Sequence, residues 1–556
     1  MARTHAASQT FAEVTRMILA DGEPVSRSRV AGAIERHEGA ARARMDRLWA
    51  YYRNQMQDGP ALAALQPGRG YRLAQERGLP ARVVGAWDRR SGNARLMGDD
   101  RGWQRKEVVI ENDIAWRVQT MVDFMFGRPL TIASTAADPG VRRTIERVLE
   151  RVWESSGGIA LLQDMGLMGH VYGHVDLLVR AVGGRTSETE GDHQEMTPRG
   201  PAPRGSGGEG AGVGTVLDRA EMSVRIELIE PPRGVALVSE SDYRELDGYV
   251  IRTRHEADAE PAGGAEIAGK LLRWWRRGLE GTGPTARPAD VVTMTEVFAG
   301  SSRQMYETAP DGRTTLVDGG AALVEERLGD RPPIVHIQNI SQPFEYEGLG
   351  EVEPLIPLQD ELNTRLSDRA ARVTMQSFKM FLAKGLDGAA AMPVAPGVIW
   401  ATDNPDAQVT AFGGDAASPS EDRHIDEIRE AMDKASAVPP LASGVVRAKI
   451  GNLSSENALR ITLLGLLSKT SRKRITYGRG IVRASRIVLE ALDRLGILHT
   501  SEADRGLRVD WVDPIPRDEQ QALLAAKSKV ELGVPRERVL SELGYATSED
   551  EDAAID

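Results

Sequence analysis

The sequence predicts an α+β fold in which a β-rich first part is followed by a mostly helical second part. Short segments rich in Val, Ile and Leu, several with alternating polarity, are typical of strands; they lie at 171–182, 223–229, 235–238, 248–253, 291–298 and 332–337. After residue 350 the apolar residues follow helical spacing instead. The predicted helices are 352–377, 420–436, 454–496 and 517–531. A strand-and-turn segment, 379–418, separates the first two of them.

Composition limits the classes of protein that fit. The chain has 556 residues, enough for two to four domains, with 41% hydrophobic and 27% charged residues. It has no cysteine, so disulfides and thiolate metal sites are excluded. We expect no signal peptide, no membrane span and synthesis in a reducing cytosol. The net charge of −11 argues against a surface that binds DNA everywhere, but not against a wall that DNA slides past.

The first third alternates helical patterns with Gly- and Pro-rich stretches. A helix is predicted over 26–57, with Ser26 and Ser28 as candidate N-caps. The further predictions are a loop or arm at 58–100, helices at 108–126, 139–155 and 158–168, and a strand at 130–133. Low-complexity sequence at 183–214 and a second soft segment at 256–269 predict surface insertions.

The order of these patterns resembles the portal (head-tail connector) proteins of tailed double-stranded DNA bacteriophages, particularly the branch found in long-tailed phages. No single motif is decisive, and the order over most of the chain carries the resemblance. The matching segments are the helix ending in Tyr51-Tyr52, RKE at 105–107 with Asn112, VQT at 118–120, FGRPLTI at 126–132, PIV at 333–335 with Asn339, Leu358 with Asp360, Leu362, Asn363 and Ser367-Asp368, SSENAL at 454–459, DWVDPIPRD at 510–518 and GVP at 533–535. The two insertions and a short segment after residue 530 depart from the common pattern.

The resemblance implies a portal fold: an α/β wing, a two-helix stem, a small β-containing clip, a long helix after a tunnel loop, and a short helical crown. The implied parts are wing with N-terminal arm 1–350, stem helix 351–378, clip 379–418, second stem helix 419–438, tunnel loop 439–453, long helix and wing return 454–516, and crown with acidic tail 517–556. It implies a ring of about twelve copies at one capsid vertex, through which double-stranded DNA is packaged and ejected. The implied partners are the terminase large subunit, a head-tail adaptor, and the major capsid and scaffold proteins.

Two groups of residues are candidates for the implied channel. In the tunnel loop, Arg447 and Lys449 are the only charges, and Gly444 and Gly451 allow flexibility. A ring of these cations would touch phosphates lightly as DNA passes. The alternative is an ordinary connection with solvated charges. In the first stem helix, Arg365, Arg369 and Arg372 form one stripe beside an apolar stripe.

The run 469–486 holds seven basic residues and no acidic one. Helical spacing places four of them on one face: Arg472, Arg479, Arg483 and Arg486. This face suits a contact between subunits, a contact with DNA or another partner, or plain solvation, and the sequence leaves all three open.

Other motifs are too weak to predict chemistry. His170 and His174 have i, i+4 spacing, but HVYGH lacks the Glu of a zinc-protease motif, and a strand starting near His174 would separate the two rings. GAEIAGK at 264–270 lacks both the hydroxyl residue and the preceding strand of a phosphate loop. We therefore expect no catalytic site, metal or cofactor.

Two alternatives to a portal protein remain. One is another virion part, such as a scaffold or adaptor, and the other is a DNA-processing enzyme. A gene transfer particle would use the same protein as a phage.

Overall fold

The structure is a computed structural model. The residues that it describes are 25, 27–54, 109–181, 213–242, 245–256, 291–299, 302–318, 332–377, 380–384, 404–412, 419–440, 456–515 and 519–543. The arm at 58–100, nearly all of both insertions, the segment GAEIAGK and the core of the tunnel loop therefore lie outside the described residues. None of the helices within these ranges is both long and apolar enough to cross a membrane.

The first half begins with helices and then alternates helices with strands. The helices are α1 (Arg27–Arg36), α2 (Arg42–Arg53), α3 (Asp113–Phe126), α4 (Pro139–Ser155), α5 (Gly158–Tyr172) and α6 (Val213–Ser223). The strands are β1 (Thr131–Ser134), β2 (His174–Ala181), β3 (Val224–Ile229), β4 (Gly234–Val238), β5 (Leu246–Glu256), β6 (Val291–Ala299), β7 (Ser302–Thr308), β8 (Thr314–Asp318) and β9 (Ile334–Gln338).

The second half is mainly helical, as the sequence predicts. It contains α7 (Ile356–Ser377), β10 (Met380–Lys384), β11 (Gln408–Phe412), α8 (Pro419–Ser436), α9 (Glu456–Thr462), α10 (Leu464–Arg494), β12 (Leu507–Asp510), α11 (Glu519–Glu531) and α12 (Arg536–Leu543). The mixture of helices and strands agrees with the predicted α+β class.

Strand β2 is the centre of the first core because it is buried on both faces. It pairs antiparallel with β3 and with β9. On one face Val175, Leu177 and Val179 pack in a cluster with α4, α5 and α10. On the other face Leu178 packs in a cluster with Tyr249 and other residues of the second sheet. The sequence predicted this strand from the alternation of Val175, Leu177 and Val179, the three residues that face the first cluster.

The second sheet is an antiparallel meander in the order β4-β5-β6-β7-β8. Its far face is covered by α1 through Val30, Ala33 and Ile34. Strands β7 (SRQMYET) and β8 (TTLVD) were missed by the sequence prediction because they are mostly polar. They form by extending an existing sheet, not by burying an apolar face of their own.

The α7–α8 hairpin carries the antiparallel pair β10–β11 at one end. At the other end, which we call the hairpin base, both helices enter one apolar cluster with α2, α3 and α5. Leu355, just before α7, and Ile356, its first residue, contribute to this cluster, as do Ile428 and Met432 from the last turns of α8. The hairpin therefore projects from the helical layer that also packs against β2.

Two predicted helices are wrong as single elements. The helix predicted over 26–57 is interrupted by a π-helical segment, His37–Ala41, in which Gly39 leaves helical geometry (φ −83°, ψ −112°). The helix predicted over 454–496 is divided at Leu463 (φ −93°, ψ 6°) into α9 and α10. By contrast, the helix predicted at 139–155 has the bounds of α4, with Asp138 capping it by accepting a hydrogen bond from the Val141 amide.

The packing of α10 against β9 depends on a glycine. A Cβ on Gly480 would lie 2.4 Å from both Cγ1 and Cδ1 of Ile337, whose side chain is buried. Gly478, two residues earlier, has no such neighbour, because the nearest atom to a Cβ there would be Nε1 of Trp511 at 3.5 Å. α10 runs without interruption through both glycines, and close packing requires a glycine at Gly480 only.

Gly480→Ala should therefore destabilise the protein, and Gly478→Ala is its matched control. We expect Gly480→Ala to reduce the free energy of unfolding by about 1–3 kcal/mol, the usual cost of overpacking. Gly478→Ala should be neutral or stabilising by up to about 1 kcal/mol, since alanine is the better helix former. Urea unfolding followed by circular dichroism measures both, and equal effects of the two variants would contradict the packing described here.

Candidate functional site

The hairpin base holds a buried arginine that ties three segments together. The Arg117 side chain, on α3, is 2% exposed. Its Nη2 lies 3.0 Å from Oδ2 of Asp113 and 2.7 Å from Oδ1 of Asp433. Its Nη1 donates to Oγ of Ser436 and to the carbonyl of Val438, each at 2.9 Å. Arg117 thus fixes the end of α8 and the first residues after it.

A second buried charge cluster lies beside the same helix end. Glu351, just before α7, is bridged by two lysines of α10: Nζ of Lys469 lies 2.6 Å from its Oε2, and Nζ of Lys473 2.6 Å from its Oε1. Nζ of Lys469 also donates to the carbonyl of Ser436 at 3.0 Å. The Glu351 amide donates to the carbonyl of His170. One cluster therefore joins the start of α7, the end of α8, α5 and α10.

The electrostatics of this cluster depend on burial and on pairing. Burial alone would raise the pKa of Glu351, but Lys473 and Lys469 outweigh it and lower the pKa to about 2. Burial lowers the pKa of Lys473 to about 8 against the opposing effect of Glu351. Burial, with Lys473 nearby, also lowers the pKa of His170 to about 3, so this imidazole is neutral near neutral pH. A neutral ring fits its contacts, because Nδ1 meets the carbonyl of Gly166 at 2.6 Å while Nε2 is buried with no hydrogen-bond partner.

The three arginines predicted for the stem all form ion pairs. Arg365 pairs along its own helix with Glu361 at 2.7 Å. Arg369 and Arg372 instead reach the start of α8: Arg369 lies 2.9 Å from Asp422, and Arg372 pairs with Glu421. Two of the three therefore link α7 to α8. Such partly exposed pairs contribute little to stability, typically about 0–1 kcal/mol each. Their main effect is to set how α7 and α8 are aligned with each other.

The four arginines predicted to share a face of α10 are all exposed in the structure: Arg472, Arg479, Arg483 and Arg486. Three of them line an open groove between α10 and β12 with a volume of about 680 Å³, while Arg472 lies outside it. Its floor is apolar, with Val482, Leu507 and Val509. At one end Arg474 stacks over the ring of Trp511, 5.1 Å from its centroid. We call this feature the basic groove.

The predicted tunnel-loop residues Gly444, Arg447, Lys449 and Gly451 lie outside the described residues. Both flanks of the loop are described. On one side Ser436 and Val438 are held by Arg117. On the other side α9 is tied to the chain after β12 by Arg460, which lies 2.6 Å from Asp513. The loop thus connects two anchored points.

A buried polar cluster also joins the two sheets. Asp176 on β2 accepts hydrogen bonds from the hydroxyls of Tyr249 at 2.6 Å and Tyr346 at 2.9 Å. Nδ1 of His336 lies 2.7 Å from Oδ1 of Asp176, and Nε2 lies 2.7 Å from the Tyr346 carbonyl. Burial would raise the pKa of Asp176, but the His336 contact lowers it. These partners occupy the carboxylate, so the cluster serves as a polar link between sheets.

The i, i+4 histidine pair does not form a metal site. His170 lies in the last turn of α5 and His174 begins β2, with Gly173 between them in the left-handed region (φ 94°). The change from helix to strand means that the two histidines do not share a helix face. Over the described ranges no three His, Asp or Glu side chains are grouped so as to hold a metal ion.

Sequence reasoning missed Arg117, Glu351 and Lys473, although two of them carried a signal. Lys473 lies four residues before Tyr477 and eight before Ile481, within the apolar stripe of α10. Arg117 lies four residues after Asp113, the spacing of a helical ion pair, and next to buried Val118. A charged residue inside an apolar stripe predicts a buried partner, but the sequence does not identify Glu351 as that partner.

Comparison with known proteins gives a family match for the second part of the chain. Residues 323–554 match the family model described as "Phage portal protein, SPP1 Gp6-like". The matched range begins before β9 and extends beyond α12, so it includes the hairpin, the buried Glu351 cluster and the basic groove. The portal resemblance is therefore confirmed for this region. No curated protein matches the chain.

Solved structures give more distant similarities. A chain of the "Neck of empty GTA particle computed with C6 symmetry" has 12% identity and a TM-score of 0.41, covering 78% of this chain and 91% of that chain. A chain of the "Virion of native gene transfer agent (GTA) particle" has 12% identity and a TM-score of 0.39, covering 78% and 89%. These TM-scores are too low to establish a common fold.

Replacing Arg117 should test whether the hairpin base is held by its buried charges. Arg117→Met keeps the bulk of the side chain but leaves Asp113 buried without its cation, so we expect a loss of about 3–5 kcal/mol in the free energy of unfolding. Arg423→Met is the control, because that side chain is 83% exposed and, among the described residues, pairs within α8 with Glu427; its effect should stay within about 0.5 kcal/mol. A urea midpoint for Arg117→Met equal to that of the control would contradict this role.

Proposed function

We propose, proceeding from the match of residues 323–554 to the SPP1 Gp6-like phage portal family, that this chain is the portal subunit of a phage or phage-like particle. About twelve copies form a ring at one capsid vertex, as closed cyclic symmetry allows. Double-stranded DNA enters and leaves through the central channel. The role is structural and electrostatic, with no catalytic step.

The observation that carries this proposal is the order of the elements within the matched range. Within 323–554 lie a helix, a small antiparallel strand pair, a returning helix and a long helix after a loop. This succession fits a stem, a clip, a second stem helix and a tunnel loop. Helices α7 and α8 are accordingly the stem, β10–β11 the clip, and α11–α12 the crown. Residues before 350, with the return through α10 and β12, form the wing.

Both flanks of the tunnel loop are attached to other elements. A loop that contacts moving DNA needs such fixed attachment points on the stem or the wing. Arg117 and Lys469 hold the helix end that enters the loop, through Ser436 and Val438. Force applied to the loop is therefore transmitted to α3 and α10 in the wing. Arg447 and Lys449 within the loop form the phosphate-contacting ring.

The proposal also assigns a partner to each part. The clip, which lies at the far end of the hairpin from the wing, docks the terminase large subunit during packaging and a head-tail adaptor afterwards. The wing and crown meet the major capsid protein and the scaffold. The protein is made in the host cytoplasm and resides at the portal vertex of the virion.

Charge reversal in the tunnel loop tests the DNA-conducting role. The double variant Arg447→Glu, Lys449→Glu should assemble normally and should package DNA several-fold less than wild type, because each ring position would repel phosphates instead of attracting them. Arg423→Glu, at an exposed position of the stem, is the matched surface control. Packaged DNA per particle is measured by nuclease protection. Full genome filling by the double variant would contradict the channel role of these residues.

A further inference from the structure

The basic groove carries charges that none of the described residues neutralises. Arg472, Arg479 and Arg483 form no ion pair with any residue in the part of the chain that the structure describes. No acidic side chain lines the groove, while Arg474, Arg479, Arg483 and Arg486 do. Such a concentration of unpaired cations over an apolar floor favours an acidic occupant that also carries small or apolar residues.

The geometry of the groove favours an extended peptide. Its floor includes Leu507, Val509 and Trp511, which are alternate residues on one face of β12 and just beyond it. Among the described strands, β12 pairs with β1 only, so one of its edges has unpaired backbone groups. An added strand would satisfy them, and two-stranded sheets gain stability from a third strand. A peptide can use both the free edge and the arginines, whereas a DNA duplex would reach only the arginines.

One segment of this chain has the matching chemistry. Residues 544–556 (GYATSEDEDAAID) follow α12 and lie outside the described residues. They contain the acidic run Glu549–Asp552, the further acid Asp556 and no Lys or Arg, together with small and apolar residues. Fully extended, these residues would span about 45 Å.

The helices that carry this segment indicate a contact between copies. α11 and α12 pack chiefly against each other. Leu523, Leu524 and Leu532 are 54%, 65% and 84% exposed. Large exposed leucines of this kind mark a protein–protein contact. In a homo-oligomer a second copy of the chain is available to cover such leucines.

We propose that the basic groove of one subunit binds the acidic segment Glu549–Asp552 of a second copy. The segment lies along the free edge of β12, with its carboxylates facing Arg479, Arg483 and Arg486 of α10. It thereby links neighbouring subunits. The proposal requires two copies in contact but neither a channel nor DNA, so it goes beyond the portal function and fails or succeeds separately from it.

Disulfide cross-linking tests this contact directly, because the natural chain has no cysteine. Full-length chains carrying Arg483→Cys and Asp550→Cys are co-expressed, purified and mildly oxidised, and the two-chain product is identified by mass spectrometry. A segment held in the groove has a high effective concentration, so we expect at least about tenfold more of this mixed product than from the control pair Arg423→Cys and Asp550→Cys. Arg423 is also an exposed arginine, but it lies on α8.

Two further measurements test whether the cross-link depends on the charges of the arginines and not merely on the two cysteines being close. Adding Arg479→Glu and Arg486→Glu to the Arg483→Cys chain should reduce the mixed product to the control level. Raising the salt concentration from about 0.1 M to about 1 M shortens the screening length from about 10 Å to about 3 Å and should have the same effect on the original pair. Both changes leave the cysteine positions unaltered.

Three outcomes would overturn the proposal. The first is a mixed product no greater than that of the control pair. The second is a disulfide that forms only within single chains of the double variant Arg483→Cys, Asp550→Cys. The third concerns chemical labelling of the Arg483→Cys thiol. If duplex DNA slows this labelling and the acidic segment does not, the groove is a nucleic-acid site. Rings that package DNA but give no cross-link would refute this inference and leave the portal function intact.

Discussion

The buried pairing of charges at the hairpin base is the constraint on which the rest of this structure depends. Arg117 and Lys469 approach the end of α8 from two different helices and both contact Ser436, one at Oγ and the other at the carbonyl. Replacing a buried ion pair by apolar residues is often neutral for stability, whereas removing one partner is costly. The arrangement is therefore best understood as a means of fixing position. It sets where the hairpin begins, where it ends and where the following loop emerges.

The same logic applies to the β-rich half. β2 lies between two apolar clusters, and it also carries Asp176, whose carboxylate is surrounded by two tyrosines and a histidine from neighbouring segments. Apolar burial supplies most of the driving force for joining the sheets, but it is non-directional. The hydrogen bonds of the Asp176 cluster are directional and fix how the two sheets are placed relative to each other. In both halves, buried polar groups determine the geometry of layers that hydrophobic contact holds together.

The sequence predicted those features that arise from local pattern. The alternation in β2, the helix at 139–155 and the helical spacing of apolar residues in α7 and α10 all depend on residues close together in the chain. Strands β7 and β8 were missed because their pairing with an existing sheet, and not their own apolar content, makes them strands. The break at Leu463 was missed because the sequence there continues to favour a helix. The Glu351–Lys473 pair joins residues more than a hundred positions apart, and no local pattern connects them.

The exposed arginines of α10 were predicted from the sequence, but the groove that they line was not. Helical spacing was sufficient to put Arg479, Arg483 and Arg486 on one exposed face. It did not predict the groove, because β12 comes beside α10 only in the folded chain. Nor did it distinguish a subunit contact from a DNA contact, and our proposal of a subunit contact rests on the free edge of β12.

The portal assignment predicts a closed ring, and the mass and symmetry of the purified full-length protein test this most directly. Native mass spectrometry combined with negative-stain electron microscopy gives both quantities on one sample. We predict a ring of about twelve copies with a central hole, the form expected of a cyclic channel. A compact dimer or tetramer without a channel would contradict the account.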